Sequence, residues 1–339
     1  MASQIFPIFG FLTLAMVATQ AALTPELYWL SKLPTTPMPK AITNLLHPEW
    51  KEDKSTSVDV GNGGVNVDTG KSGAGGGTNV DVGKGGVAVN AGHKGKPVYV
   101  NVGQPFQYLY AATETQLHHD PNAALFFMEK DMYPGKELNL HFTKTTQNAI
   151  KFLPQQVSKR IPFSSSKIPE IFTKLSVKPG SLKALTMKNT IKECEVPGIR
   201  AEEKYCATSL ESMVEFTTSK LGKNLWALST EVDEKETHMQ KYIMTVGARK
   251  MRGPKAIVCH LTKYPYAVFY CHKTEATRAY YVPLESEDGG SKVKAVAICH
   301  TDTSQWNPKH LAFQVLKVKP GTAPVCHFLP EDHLVWIPK

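Results

Sequence analysis

The stretch VCHLTKYPYAVFYCHK, Val258 to Lys273, places a Cys directly before a His, runs on for ten residues, and then repeats the pair. The doublet returns at Cys299-His300 and Cys326-His327, after gaps of 26 and 25 residues. Each copy lies in an apolar, β-branched or aromatic run: KAIVCHL, YAVFYCH, VKAVAICH and APVCHF. Such runs read as strands. Neighbouring side chains on a strand point to opposite faces. In VKAVAICH the face of Cys299 also holds Val293, Ala295 and Ala297; in YAVFYCH, Cys271 shares a face with Phe269 and Ala267. The doublet therefore predicts sulfurs turned into a packed layer and imidazoles turned to the other side.

Each group can then have its own chemistry. Only two other cysteines exist, Cys194 and Cys206. Zinc motifs set two Cys about two to four residues apart, and no such pair occurs here. Adjacent Cys and His on a strand also point apart and would not share one ion. Six Cys is an even count, which suits disulfides. Cys194 and Cys206 are expected to pair. Cys259, Cys271, Cys299 and Cys326 allow three connectivities, and the sequence does not choose among them. A single His is ordinarily a surface or core residue. Four in equivalent positions, His260, His272, His300 and His327, point to metal ligation. Imidazoles without thiolate suit Cu(II), Zn or Ni, and copper binds tightest in the divalent series. His118, His119, His310 and His333 are further candidates.

From about Lys241 the chain is a succession of strand-like runs, with YIMTVGARKM, AYYVPL and LAFQVLKV joining the four above. This predicts a mainly β fold, an antiparallel sandwich or barrel, with some helix before it. Ser209 to Leu221 reads as a helix, with Ser209 as N-cap and Glu211 and Glu215 in its early turns. Met132 to Phe142 reads as a turn and then a strand. Residues 22–54 form a leader in which Pro37 and Pro39 interrupt any helix, and Ala41 to Leu46 suits a short amphipathic turn. In residues 55–103, VDVGNGGVNV recurs as VDVGKGGVAV with a period of 22. Two copies cannot stack into a continuous core, and glycine makes ordering entropically costly, so this region is expected to be flexible.

Residues 1–21 read as an export signal, with an apolar run from Ile5 to Val17 and cleavage after Ala21. That run is too short to span a bilayer, and no membrane span is expected elsewhere. The chain is thus expected outside the cell, where disulfides persist. The formal net charge is +9, carried mostly by scattered Lys. That pattern suits an acidic surface such as a polysaccharide, not nucleic-acid readout. No serine-hydrolase elbow, P-loop or dinucleotide fingerprint occurs.

The spacing CH-x10-CH-x26-CH-x25-CH resembles the signature of the plant BURP-domain family, over Leu125 to Lys339. With the LPTTPMPKAI leader, the Gly/Val repeat and YAATETQLHHDPNAALFFMEKD, the chain is similar to the dehydration-responsive subfamily. The resemblance implies an apoplastic or cell-wall protein linked to drought, salt and abscisic-acid responses. Its implied partner is an acidic cell-wall polysaccharide or a wall protein. Some similar proteins are autocatalytic peptide cyclases that hold copper through His and cross-link a Tyr or Trp of the same chain. Carried over, the copper-holding positions are His260, His272, His300 and His327. The matching core peptide would be Gln104 to Tyr110, within a linker at 104–124. Tyr108 or Tyr110 would be cross-linked, and Gln104 could close to pyroglutamate. The commonest core ends in Trp at its eighth position; Ala111 stands there. The domain itself is assigned to 125–339.

Overall fold

The four Cys-His doublets lie on two antiparallel sheets in the computed structural model, which describes residues 23–46, 57–61, 64–68, 80–83, 86–89, 126–142, 150–200, 202–233, 240–251, 253 and 255–339. In chain order the strands are β1 (Ser57–Gly61), β2 (Gly64–Asp68), β3 (Val80–Gly83), β4 (Gly86–Val89), β5 (Phe127–Met128), β6 (Glu137–Leu140), β7 (Glu203–Ala207), β8 (Leu225–Leu228) and β9 (Glu231–Val232). They continue as β10 (Gln240–Met244), β11 (Arg249–Lys250), β12 (Ala256–Leu261), β13 (Phe269–Thr274), β14 (Thr277–Ser286), β15 (Lys292–His300), β16 (Val325–Phe328) and β17 (Leu334–Pro338). The helices are α1 (Pro25–Lys32), α2 (Lys40–Thr43), α3 (Gln155–Ser158), α4 (Ile168–Lys174), α5 (Leu182–Glu195), α6 (Leu210–Leu221) and α7 (Leu311–Leu316).

One sheet has the order β7-β13-β12-β17-β8. The other runs β5-β16-β15-β14-β10-β6, with β9 on β15 and β11 on β14. The fold is mainly antiparallel β with some helix, as the alternating runs predict. Ser209 caps α6, its hydroxyl accepting from the Ser212 amide. One predicted strand is corrected. LAFQVLKV forms helix α7, capped by His310, whose Nδ1 accepts from the Ala312 amide at 3.1 Å. A short apolar run does not separate strand from helix by periodicity alone, and here capping and packing decide. Leu311, Ala312 and Phe313 bury together against Phe126, Trp306 and Val325.

Three apolar layers result. Ala256, Val258, Val335 and Ile337 of the first sheet meet Ala279, Val296, Ile298 and Leu329 on the side of the second. Beyond the first sheet, Cys259, Cys271, Phe269 and Trp336 pack under α6 and the leader. Beyond the second, Cys299 and Cys326 pack with Tyr242, Val282, Leu284 and Phe127.

The leader is part of this core. Trp29 of α1 is buried and its ring lies 5.5 Å from that of Trp336. Leu33, Ile42 and Leu46 are buried in the same layer. The Thr36 hydroxyl donates to the Leu225 carbonyl at 2.6 Å, and the Phe152 amide donates to the Leu45 carbonyl at 2.9 Å. Within the Gly/Val repeat, the first copy supplies hairpin β1-β2 and the second β3-β4, joined as a four-stranded antiparallel meander. The expected export signal and the Gln104 to Tyr110 segment lie outside the described residues. Among the described residues no helix is long and apolar enough to cross a membrane.

Candidate functional site

Register turns the doublets into two kinds of contact. In β12-β13, Cys259 stands directly opposite Cys271, and in β15-β16, Cys299 stands opposite Cys326. Both pairs are disulfides, with Cα–Cα distances of 3.9 and 4.0 Å. Cys194 and Cys206 form the third, as expected, and no described Cys is free. The His of each doublet falls on the opposite face. There His260 faces Tyr270 across the ladder and His272 faces Val258, so the two rings are diagonal neighbours. His300 and His327 repeat the arrangement, opposite Val325 and Ile298. Diagonal pairs lie within reach of long or aromatic side chains.

The two sheets present these faces to each other, so the four rings meet at one end of the inner layer. Ring centroids lie 5.2 Å apart for His260–His272, 6.3 Å for His272–His300, 5.6 Å for His300–His327 and 6.2 Å for His260–His327. All four are at most 4% exposed. A fifth imidazole joins them: His333, just before β17, sets Nδ1 at 2.9 Å from Nδ1 of His260. On its other side His260 sets Nε2 at 3.1 Å from Nε2 of His272. His272 in turn places Nδ1 at 3.2 Å from Oε1 of Glu202. His327 Nδ1 lies 3.2 Å from the Phe328 carbonyl.

Aromatic rings enclose the cluster. Trp306 packs 5.1 Å from the ring of His300 and 4.8 Å from that of His310. Phe126 lies edge-on to His327 at 6.3 Å and to His310 at 5.7 Å. His310 is therefore adjacent to the four, though its Nδ1 serves the cap of α7.

Burial holds His260, His300, His327 and His333 below the usual histidine range. Desolvation, followed by the neighbouring His333, His272, His327 and His300, holds His260 well below the usual histidine range. Desolvation, with His327, His272 and His310 behind it, does the same to His300. Burial lowers His327 to about 4 and His333 to about 3, against the raising effect of their backbone acceptors Phe328 and Leu261. For Glu202, burial pushes the carboxyl up. The hydrogen bond and charge of His272, then the Ile199 amide and Lys204, outweigh it and leave the carboxyl below its ordinary value.

Neutral imidazoles offer lone pairs, which is the state a metal ion requires. Two imidazole nitrogens bound to one ion at ordinary bond lengths stand about 2.9–3.4 Å apart. The 3.1 Å separation between His260 and His272 falls within that interval. Among the described residues, no three His, Cys, Asp or Glu side chains already form a closed ligand set. The donors suit a transition metal in type, and His260 and His272 suit one in spacing.

Sequence reasoning located the four doublet histidines and named His310 and His333. His118, His119, Gln104, Tyr108 and Tyr110 lie outside the described residues. It missed Glu202, Trp306 and Phe126. Glu202 follows Cys194 in the short segment before Cys206, and a carboxylate inside a disulfide loop was the available signal.

Paired sheets, each stapled by a cross-strand disulfide on its outer side and lined by histidines on its inner side, define a class of β protein built on repeated Cys-His doublets. The BURP domain matches residues 125–338. The chain belongs to the BURP-domain family. It is 50% identical to the BURP domain protein RD22 of Arabidopsis thaliana over 375 aligned positions, 95% of each chain. It is 44% identical to the BURP domain-containing protein 3 of Oryza sativa subsp. japonica, over 96% of this chain and 97% of that protein. Protein RAFTIN 1B of Triticum aestivum is 31% identical, over 93% of this chain and 91% of that protein.

Proposed function

We propose that this chain is a secreted, copper-capable protein of the plant apoplast or cell wall, acting in dehydration and salt responses linked to abscisic acid. The observation that carries the copper reading is the meeting of four buried doublet imidazoles on strands locked by the doublets' own sulfurs. His260, His272, His300 and His327 would hold the ion, and His333 lies against them. Copper, when bound, supplies a redox-active Lewis acid. Trp306 and Phe126 exclude water around the rings, and the sheets fix the ring positions. Three disulfides support an oxidising compartment. The resemblance to the dehydration-responsive subfamily supports the stress association. The charge of +9 supports an acidic polysaccharide or wall protein as partner.

The test is metal content of protein purified from the secretion medium, alongside retention on pectin at rising salt. Stoichiometric copper and salt-sensitive retention are expected, because exposed charge contacts are screened. A metal-free protein that resists loading with Cu(II) contradicts the copper reading. Retention indifferent to salt contradicts the polyanion.

One observation favours a second reading, an autocatalytic copper-dependent peptide cyclase. Phe126, packed on the edge of His327, follows Tyr110 by sixteen residues. A span of that length reaches at most about 53–58 Å, so Tyr108 and Tyr110 are tethered to the cluster. Tethering of this kind raises effective concentration to about mM. Loading with Cu(II) in air, followed by digestion, would then give a peptide spanning Gln104 to Tyr110 lighter by two hydrogens. Tyr108→Phe and Tyr110→Phe identify the phenol. An unchanged mass in fully loaded protein refutes this reading and leaves the first intact.

A further inference from the structure

The cluster is anchored at one edge by a side chain that lies on neither sheet's Cys-His doublets. Glu202 ends the connection between α5 and β7. Its carboxylate is 3% exposed, and Oε1 stands 3.2 Å from Nδ1 of His272. The other oxygen, Oε2, accepts from the Ile199 amide at 3.0 Å, while the Glu202 amide donates to the Ile199 carbonyl at 3.0 Å. The connection is thus folded back on the carboxylate it carries. The Tyr270 hydroxyl approaches Oε1 at 3.5 Å from the same strand as His272.

Three independent features hold this connection. The disulfide Cys194–Cys206 fastens its two ends, with Cα atoms 5.8 Å apart. The Arg200 amide donates to Oε1 of Gln305 at 3.0 Å, and Ile199 packs against the cluster of Phe126 and Trp306. Gly198 leaves room that the carboxylate fills: a Cβ there would stand 2.7 Å from Oε2 of Glu202 and 3.2 Å from its carbonyl oxygen. A side chain at position 198 would press on the Glu202 carboxylate in its present place.

We infer that Glu202 is a positioning residue for the histidine cluster. By accepting the Nδ1 proton of His272, it fixes the tautomer in which Nε2 carries the lone pair, and it sets the plane of that ring. Nε2 is the atom that faces His260. A carboxylate behind a ligating imidazole orients the ring and raises its basicity. The role towards a metal rests on the copper reading proposed above; the role towards His272 does not. Nothing in the Cys-His spacing encodes it, because the residue comes from a separate disulfide-closed segment.

The test uses the full chain and three substitutions. Glu202→Leu removes the acceptor. Gly198→Ala keeps the carboxylate and displaces it. Glu202→Gln keeps an oxygen that can accept from His272 or from Ile199, but not from both. In metal-free protein, long-range 1H–15N spectra report the tautomer of His272. Nδ1–H is expected in the wild type. A shift towards Nε2–H is expected in Glu202→Leu and Gly198→Ala, with Glu202→Gln between. Cu(II) affinity, measured by competition with a chelator, is expected to fall about 10–100-fold in Glu202→Leu. A His272 that keeps the Nδ1–H tautomer in both Glu202→Leu and Gly198→Ala overturns the inference. So does an unchanged affinity where the tautomer has changed. If the wild type binds no Cu(II), the copper reading falls alone, and the tautomers still decide the role of Glu202. Should Glu202→Leu fail to fold, Gly198→Ala, which removes no side chain from the site, carries both measurements.

Discussion

Replacing Trp29 by Ala should destabilise the whole domain, although Trp29 lies nearly a hundred residues before the segment that the BURP domain matches. The ring is 2% exposed and packs 5.5 Å from Trp336, on the outer side of the strands that carry His260 and His272. Its indole N–H donates to the Thr36 carbonyl at 2.6 Å. A buried aromatic residue covers about 150–250 Å², worth about 4–6 kcal/mol at about 25 cal/mol per Å². Measured Trp→Ala changes in cores cost about 3–5 kcal/mol. An expected loss of about 4 kcal/mol corresponds to a fall in Tm of about 8–16 °C for a domain of this size. The assay is thermal and guanidinium unfolding followed by far-UV circular dichroism, with disulfides intact. Leu27→Ala is the control: it sits on the same helix, is 52% exposed, and should change stability by less than about 0.5 kcal/mol. A Trp29→Ala protein that melts within about 3 °C of wild type would refute the claim that the leader belongs to the fold.

The remaining predictions concern acid, sulfur and the copper-free rings. Burial holds His327 at about 4 and His333 at about 3 in the folded chain, against the ordinary 6.5 once unfolded. The unfolded chain therefore takes up protons first as pH falls, and stability drops between about pH 6.5 and pH 4. His327 alone accounts for about 3 kcal/mol of that fall in metal-free protein. Guanidinium midpoints at pH 7.5 and 4.5 measure it, and equal midpoints contradict buried neutral imidazoles. Non-reducing peptide maps should recover Cys194–Cys206, Cys259–Cys271 and Cys299–Cys326; any crossed pair contradicts the sheet register. Under mild reductant, Cys194–Cys206 should open first. Cys194 and Cys206 are partly exposed, whereas the other four Cys are fully buried. Opening of either cross-strand pair before it would contradict that order.

The alternation of side chains along a strand made half of the site legible. Consecutive Cys and His must leave a strand on opposite sides, so the split between cross-links and imidazoles follows from KAIVCHL and VKAVAICH alone. Which sheets face each other does not follow, because β12-β13 and β15-β16 meet through long-range packing of Val258, Val296 and Ile298. The cystine pairing became clear only with the register of those ladders. Trp29 and Trp336 are too far apart in sequence for any local pattern to join them. LAFQVLKV has too short an apolar run to separate strand from helix, and the cap supplied by His310 is visible only in three dimensions. The disulfide loop marks Glu202, but its partner does not follow from that loop, because His272 is supplied by a strand distant in sequence.

The central claim is that the four doublet imidazoles form one buried site able to hold an ion. Electron paramagnetic resonance of protein loaded with one equivalent of Cu(II) tests it most directly, with His260→Ala, His272→Ala, His300→Ala and His327→Ala compared after their folding is checked. A nitrogen-rich signal in the wild type that is altered or lost in these variants is the predicted result. A signal that all four variants share unchanged with the wild type would place the copper elsewhere and contradict the account.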